Sequence, residues 1–287
     1  METTNGSFFL PQQIVAANMR AAKGKTEAPL SRLILLGILA GMFIACGASA
    51  SSVAMHAIGN VGLARLVGGA IFPVGLMMIV LVGGELFTGD CLMIMGYAGR
   101  QYSVLPMVRV LVTVFISNLF GAVMFAALVC FSGQYHYTDG LLGAYTIKVA
   151  VGKLNMSFPS AFLSGILCNF FVCIAVLMAG AAKDISGKIW AVFFPIMAFV
   201  VSGYEHCVAN MYYIPAAIFA AANETYAAAA MREYGYTAAQ LEAVTWCNFL
   251  TKNLLPVTLG NIVGGMLFVG LPMYWIHSHK GKASEGK

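Results

Sequence analysis

Charge is what this chain has least of: 9% of its 287 residues are Asp, Glu, Lys or Arg, against about 25% in a typical soluble domain. That scarcity excludes a water-soluble globule, a disordered chain and a nucleic-acid binder. No G-x-x-x-x-G-K-[ST] occurs, so no nucleotide-driven pump is expected. The seven cysteines include no C-x-x-C, so no disulfide, metal site or other cofactor is expected. Cys46, Cys130, Cys168 and Cys173 lie in apolar runs and read as small core residues, whereas Cys91, Cys207 and Cys247 lie near polar positions. The strict polar–apolar alternation of membrane strands is missing. Residues 1–30 hold no apolar stretch of signal-peptide length.

What is present is apolar sequence in long runs, with 60% of residues hydrophobic. A helix needs about 20 such residues to cross a bilayer. Four runs are clean spans, at 31–54, 105–130, 158–182 and 254–276. Two other regions, 65–100 and 188–223, are interrupted by acidic residues, Glu85 and Asp90 in one and Glu205 beside His206 in the other. Each reads as one crossing made of two half-helices broken near mid-membrane, a geometry tolerated only where protein or a water-filled cavity covers the break. Paired broken segments in the two halves of a chain point to a permeation site. Six crossings put both termini on one face. Eleven of the 16 Lys+Arg residues then fall on that face, including Lys25, Arg100 and Lys183. Five fall on the other: Arg65, Lys148, Lys153, Arg232 and Lys252. The bias predicts cytoplasmic termini and places Lys148 and Lys153 in an outer loop. Residues 8–19 carry Phe8, Leu10, Ile14, Val15 and Met19 and suit an interfacial amphipathic helix.

The chain repeats itself. Asn118, Gly121, Phe125 and Leu128 recur 143 residues later as Asn261, Gly264, Phe268 and Leu271. Gly37-Ile38-Leu39 recurs 128 residues later as Gly165-Ile166-Leu167. Both breaks carry Gly-x-Glu, at Gly83 and Gly203, with Phe72-Pro73 and Phe194-Pro195 upstream. Three crossings per half require the second half to be inverted. The expected fold is therefore all-α and aquaporin-like, with six transmembrane helices in an inverted 3+3 repeat and the second and fifth broken. Its parts are a cytoplasmic N-terminal segment (1–30), a first repeat (31–130), a second repeat (154–277) and a cytoplasmic tail (278–287), together a single channel domain over 1–287.

The polar exceptions carry the chemistry. Glu85 and Glu205 would cost about 2.5–3.5 kcal/mol each at a helix centre, so a structural role at the breaks is expected, accepting freed backbone N–H groups. Asp90 suits the N-cap of the following half-helix. His206 either is satisfied by neighbouring carbonyls or by Glu205, or faces the pore, where an imidazole can exchange a proton with a passing anion. Thr88 either bonds a small polar solute opposite His206 or caps its half-helix. Asn169 makes either an interhelical hydrogen bond or a pore contact. Asn118 and Asn261, each followed by glycine three residues on, read as packing residues. Lys148 and Lys153 are either solvated loop charges or anion-gathering charges at a pore mouth.

These residues lie in motifs that resemble the formate/nitrite transporter family: Leu66-Val67-Gly68-Gly69, Glu85-Leu86-Phe87-Thr88, Gly203-Tyr204-Glu205-His206 with Ala209-Asn210-Met211, and Asn248-Phe249 through Asn253-Leu254 to Pro256-Val257-Thr258. The similarity runs from Pro11 to Ile276. It implies a homopentamer with one pore per subunit in the plasma (inner) membrane. It further implies a passive or proton-linked channel for small monovalent anions, with formate expected first and nitrite, hydrosulfide, acetate and lactate as other cargoes. The resemblance makes His206 the pore histidine, Thr88 its partner, Lys153 a vestibule lysine and Asn169 a neighbouring polar residue. Phe72, Leu76, Leu86 and Phe199 become apolar constrictions. Segment 223–242 and the tails look particular to this chain. A proton-coupled symporter would share the fold. A neutral-solute channel of aquaporin type would carry Asn-Pro-Ala at each half-helix, which is absent. A membrane-embedded enzyme would need more than Glu85, Glu205 and His206.

Overall fold

Residues 6–278 are described in the computed structural model, so the tail expected from 278 onward lies outside the described residues except for Ser278. Among the described residues, six helices are long and apolar enough to cross a membrane. Four match the clean runs: Leu30–Met55, Val104–Phe131, Phe158–Ala181 and Trp246–Ser278. The last is longer than expected and widens into π-type turns at Phe249–Leu254 and Gly264–Gly270. The fifth crossing is Ile185–Ser202 followed by Cys207–Ala221. The second is unequal. Its first arm, Val61–Val82, is 22 residues long and bends at Pro73, whereas its second is three short turns between Phe87 and Ala98. The expectation of two sub-span halves therefore fails there, because helix starts at Val61 behind the Asn60 cap rather than at Arg65 (Leu63 N–H to Asn60 Oδ1, 2.9 Å).

Both breaks begin at glycine with positive φ, +107° at Gly83 and +74° at Gly203, conformations that only glycine adopts freely. Elsewhere glycine brings crossings together. A side chain at Gly121 would run into the carbonyl of Ile38, and one at Gly264 into the carbonyl of Ile166. Both pairs are related by the repeat seen in the sequence. The first crossing thus packs on the third as the fourth packs on the sixth, backbone against backbone, the mode of close association favoured where lipid supplies no hydrophobic drive.

One segment expected to be a loop is helical, and the N-terminal segment expected as an interfacial amphipathic helix over 8–19 is a helix packed on the protein. Lys148 and Lys153 lie not in a loop but on a helix, Leu141–Leu154, whose Ala144, Ile147 and Ala150 are fully buried. It leans on Cys207–Ala221 and on a further helix, Glu224–Tyr234. The N-terminal helix runs Pro11–Glu27, starting on a proline whose fixed φ suits a first helical turn. Its Ile14 and Val15 are buried with Cys91, Leu92, Met95, Cys173, Leu177 and Val269. This helix covers the terminal-side end of the second crossing's short arm. Cys91 and Cys207, near polar positions in the sequence, are fully buried, whereas Cys46 and Cys130, expected as core residues, are partly exposed.

Candidate functional site at the paired helix breaks

Each break leaves backbone groups without helical partners, and an asparagine from the packed neighbouring crossing satisfies them. Phe87 N–H donates to Asn118 Oδ1 at 2.9 Å, and Asn118 Nδ2 donates to the carbonyls of Gly37 (2.7 Å) and Glu85 (2.9 Å). Cys207 N–H donates to Asn261 Oδ1 at 2.9 Å, and Asn261 Nδ2 donates to the carbonyls of Gly165 (2.8 Å) and Glu205 (3.0 Å). The same three-bond arrangement is made twice, from positions the repeat relates.

This corrects the reading of the glutamates. Glu85 and Glu205 do not receive the freed N–H groups. A carboxylate only accepts, whereas an amide both accepts and donates and so serves both edges of a break. The glutamates instead hold cations. Lys153 Nζ donates to Glu205 Oε1 at 2.7 Å. Glu205 Oε2 accepts from Asn210 Nδ2 at 2.7 Å and Asn253 Nδ2 at 3.3 Å. At the other break, Lys25 of the N-terminal helix lies 2.5 Å from both Glu85 Oε2 and Asp90 Oδ1. Asp90 is therefore not the expected N-cap. It lies inside its short helix with no side-chain bond to backbone N–H, turned toward the lysine. Burial opposes the charge on Lys25, but Asp90 and Glu85 outweigh it and hold the ammonium above the ordinary lysine range.

Between the breaks lie Thr88 and His206, both buried, with Thr88 Oγ1 2.9 Å from His206 Nε2. His206 is the N-cap of Cys207–Ala221, its Nδ1 accepting from Ala209 N–H at 3.0 Å. With Nδ1 accepting, a neutral ring carries its proton on Nε2 and donates it to Thr88 Oγ1, which leaves the threonine hydroxyl hydrogen free to donate onward. Adding a proton at Nδ1 would cost the cap. Thr88 makes no cap of its own. Asn169 is fully buried, and its Nδ2 donates to the carbonyls of Thr88 (3.2 Å) and Asn261 (2.6 Å). It ties the first break to the sixth crossing from the fourth, the interhelical option of the two left open.

Two cavities meet at His206. A vestibule of about 200 Å³ is lined by Lys153, Tyr204, His206, Asn210, Phe72 and Phe199 among others. Beyond it a chamber of about 10 Å³ is lined by Ile44, Phe72, Leu76, Leu86, Val172, Ile196, Phe199 and His206. Phe72 and Phe199, at 5.6 Å between ring centroids and nearly perpendicular, border both spaces. All four residues expected as constrictions line the smaller one. Its volume scarcely admits one water, for which about 10–15 Å³ is needed.

The partners that sequence reasoning missed are Lys25, Asn210 and Asn253 as charge-holding groups, and Asn118 and Asn261 as caps rather than packing residues. Signals existed: intramembrane carboxylates demand cations, and Asn210 and Asn253 stand in the quoted motifs. Nothing in the linear sequence says that a lysine 60 residues upstream is the one that arrives at Glu85.

The formate/nitrite transporter family model matches residues 12–275. A probable formate transporter of Methanothermobacter thermautotrophicus is 39% identical over 287 aligned residues, covering 94% of this chain and 97% of that protein. The formate channel FocA of Escherichia coli K12 is 35% identical over 88% of this chain and 87% of its own length. Among solved structures, a pentameric formate channel with formate bound superposes with a TM-score of 0.79 at 34% identity, covering 87% of this chain and 98% of that one. An FNT family ion channel gives 0.74 at 27% identity, covering 93% and 98%.

Proposed function

The chain belongs to the formate/nitrite transporter family, a multi-pass membrane transport protein rather than an enzyme, and from that premise we propose a channel for small monovalent anions that cross as their weak acids, formate first among them. The names of its relatives support the cargo, and the pentameric formate channel that it resembles supports a homopentamer with one pore per subunit. The lysine and arginine bias supports residues 1–30 and 278–287 on the cytoplasmic side of a plasma membrane, and three crossings per half support a second repeat (154–277) inverted relative to the first (31–130).

One observation carries the mechanism: among the described residues, His206 is the one polar residue lining the 10 Å³ chamber, every other lining side chain is apolar, and the surface presented to the space is apolar throughout. A bare anion there would forfeit its hydration without a counter-charge, a cost of many kcal/mol. The neutral acid forfeits far less. The vestibule ahead of Phe72 and Phe199 is where a proton can be taken up, still within reach of water. Past the phenylalanines the acid meets the His206 imidazole, whose Nε2 is held 2.9 Å from Thr88 Oγ1. Thr88 thus holds the ring from behind, and Nδ1 stays engaged with Ala209 throughout. The chamber in its present width is a closed gate, and transit requires the phenylalanine pair and the Leu76–Leu86 pair to part.

Uptake into proteoliposomes at about pH 5 and about pH 7.5, on a panel of formate, nitrite, hydrosulfide, acetate and lactate, tests this. Formate flux is expected to rise on acidification as the acid form becomes commoner. A steady electrical current carried by formate anion, indifferent to pH, would refute it.

A further inference from the structure

The vestibule adjoins a wider cavity of about 570 Å³ on its outer side, walled by the ends of the first two crossings, Leu141–Leu154 and Glu224–Tyr234. Met55, Arg65 and Tyr145 line both spaces, so Arg65 is the charged side chain at their junction. Its position matters because the cation inside the vestibule is already spent: Lys153 is neutralised by Glu205 at 2.7 Å. In the wider cavity Lys148 is exposed and lies over Tyr234, 4.7 Å from the ring centre, and Glu233 is paired with Arg232 at 2.8 Å. Arg65 is exposed and has no carboxylate within ion-pair distance among the described residues. It makes one bond, from Nη1 to the carbonyl of Val201 at 3.3 Å. That bond sets the guanidinium over Gly203, where a methyl group would stand 3.3 Å from Nη1. The remaining N–H groups of the fork are free, and a planar fork matches a carboxylate through two parallel hydrogen bonds.

We propose that Arg65 is the anion-docking residue of the outer mouth. It draws a small carboxylate from the wide cavity into the vestibule and sets it beside the Gly203–His206 break. Lys153, locked in its ion pair, contributes polarity there but little net attraction. This rests on the anion-channel reading above. A unit charge met at about 6 Å in water enriches a monovalent anion about threefold, and this attraction fades as salt shortens the screening length from about 30 Å at 0.01 M to a few ångströms near 1 M.

The test is formate uptake into proteoliposomes bearing the parent protein, Arg65→Gln, Arg65→Lys or Lys148→Gln, as a function of formate concentration at about 0.01 M and about 0.5 M ionic strength. Arg65→Gln is expected to raise the half-saturating formate concentration about threefold at low salt while keeping the maximal rate, with the difference gone at high salt. Arg65→Lys should recover the low-salt value in large part, and Lys148→Gln should change it less than Arg65→Gln does. If Arg65 only caps Val201, Arg65→Gln will lower the maximal rate equally at both salts, and the proposal falls. It falls too if the half-saturating concentration matches the parent's at low salt. A parent protein that carries no formate would overturn the channel function itself, and the docking role with it.

Discussion

Replacing Lys153 with methionine should cost far more than losing a surface charge. An exposed ion pair is worth about 0–1 kcal/mol. Here the two side chains are only 16% and 5% exposed, so Lys153→Met strands a buried carboxylate held by two asparagine amides alone. Breaking one partner of such a pair costs about 3–5 kcal/mol. At about 2 °C per kcal/mol for a chain of this size, the purified protein in detergent should melt roughly 6–10 °C lower. Lys153→Met combined with Glu205→Gln removes both charges and keeps an amide beside Asn210 and Asn253. It should return to within about 1 kcal/mol of the parent, since a buried pair replaced as a whole is often neutral. Scanning fluorimetry of the three proteins decides it. A single variant that melts with the parent, or a double variant no better than the single, would refute the reasoning that Lys153 serves Glu205.

Asn118→Leu and Asn261→Leu each orphan one N–H and one carbonyl at a break, at about 1–3 kcal/mol per buried group, so both should melt lower by similar amounts in the same assay. His206→Ala loses both the helix cap and the Thr88 partner, whereas His206→Asn keeps an N-capping side chain. The alanine variant should melt lower by about 0.5–2 kcal/mol equivalent, the asparagine variant should not, and both should slow formate uptake. Phe199→Ala widens the wall shared by vestibule and chamber, and should raise the lactate-to-formate flux ratio. Lys25→Gln should speed proteolysis of the N-terminal helix. Because the Lys25 value is raised in the folded protein, its contribution is complete below the free-lysine value of about 10.4 and is lost only as pH climbs through the raised one. Protection from protease should therefore show no step from lysine titration between about pH 5 and about pH 9.

The six crossings and two breaks were legible because bilayer thickness sets run length and because carboxylates interrupt apolar sequence at few places. The repeat was legible because close helix contact permits only small residues, so Gly121 and Gly264 recur with their partners Ile38 and Ile166. The helix over Leu141–Leu154 was not: its 14 residues are too short for a span and carry Lys148 and Lys153, so hydropathy gave it no weight. The charge partners were not legible either. Glu85 finds Lys25 and Glu205 finds Lys153 through tertiary packing, and sequence separation carries no trace of that. The roles of Asp90 and of the two asparagines were misassigned for one reason. Local capping rules assume the helix end meets water, whereas these ends meet another helix.

A resting chamber of about 10 Å³ walled by Phe72, Leu76, Leu86 and Phe199 has a bioenergetic consequence. Proton hopping along water requires an unbroken file of molecules, and a space this tight interrupts the file. A cell can therefore keep many copies of this protein in an energised membrane without short-circuiting it. On the weak-acid reading proposed above, hydrogen ions then traverse the lipid barrier at this point only in company with cargo, one passenger at a time.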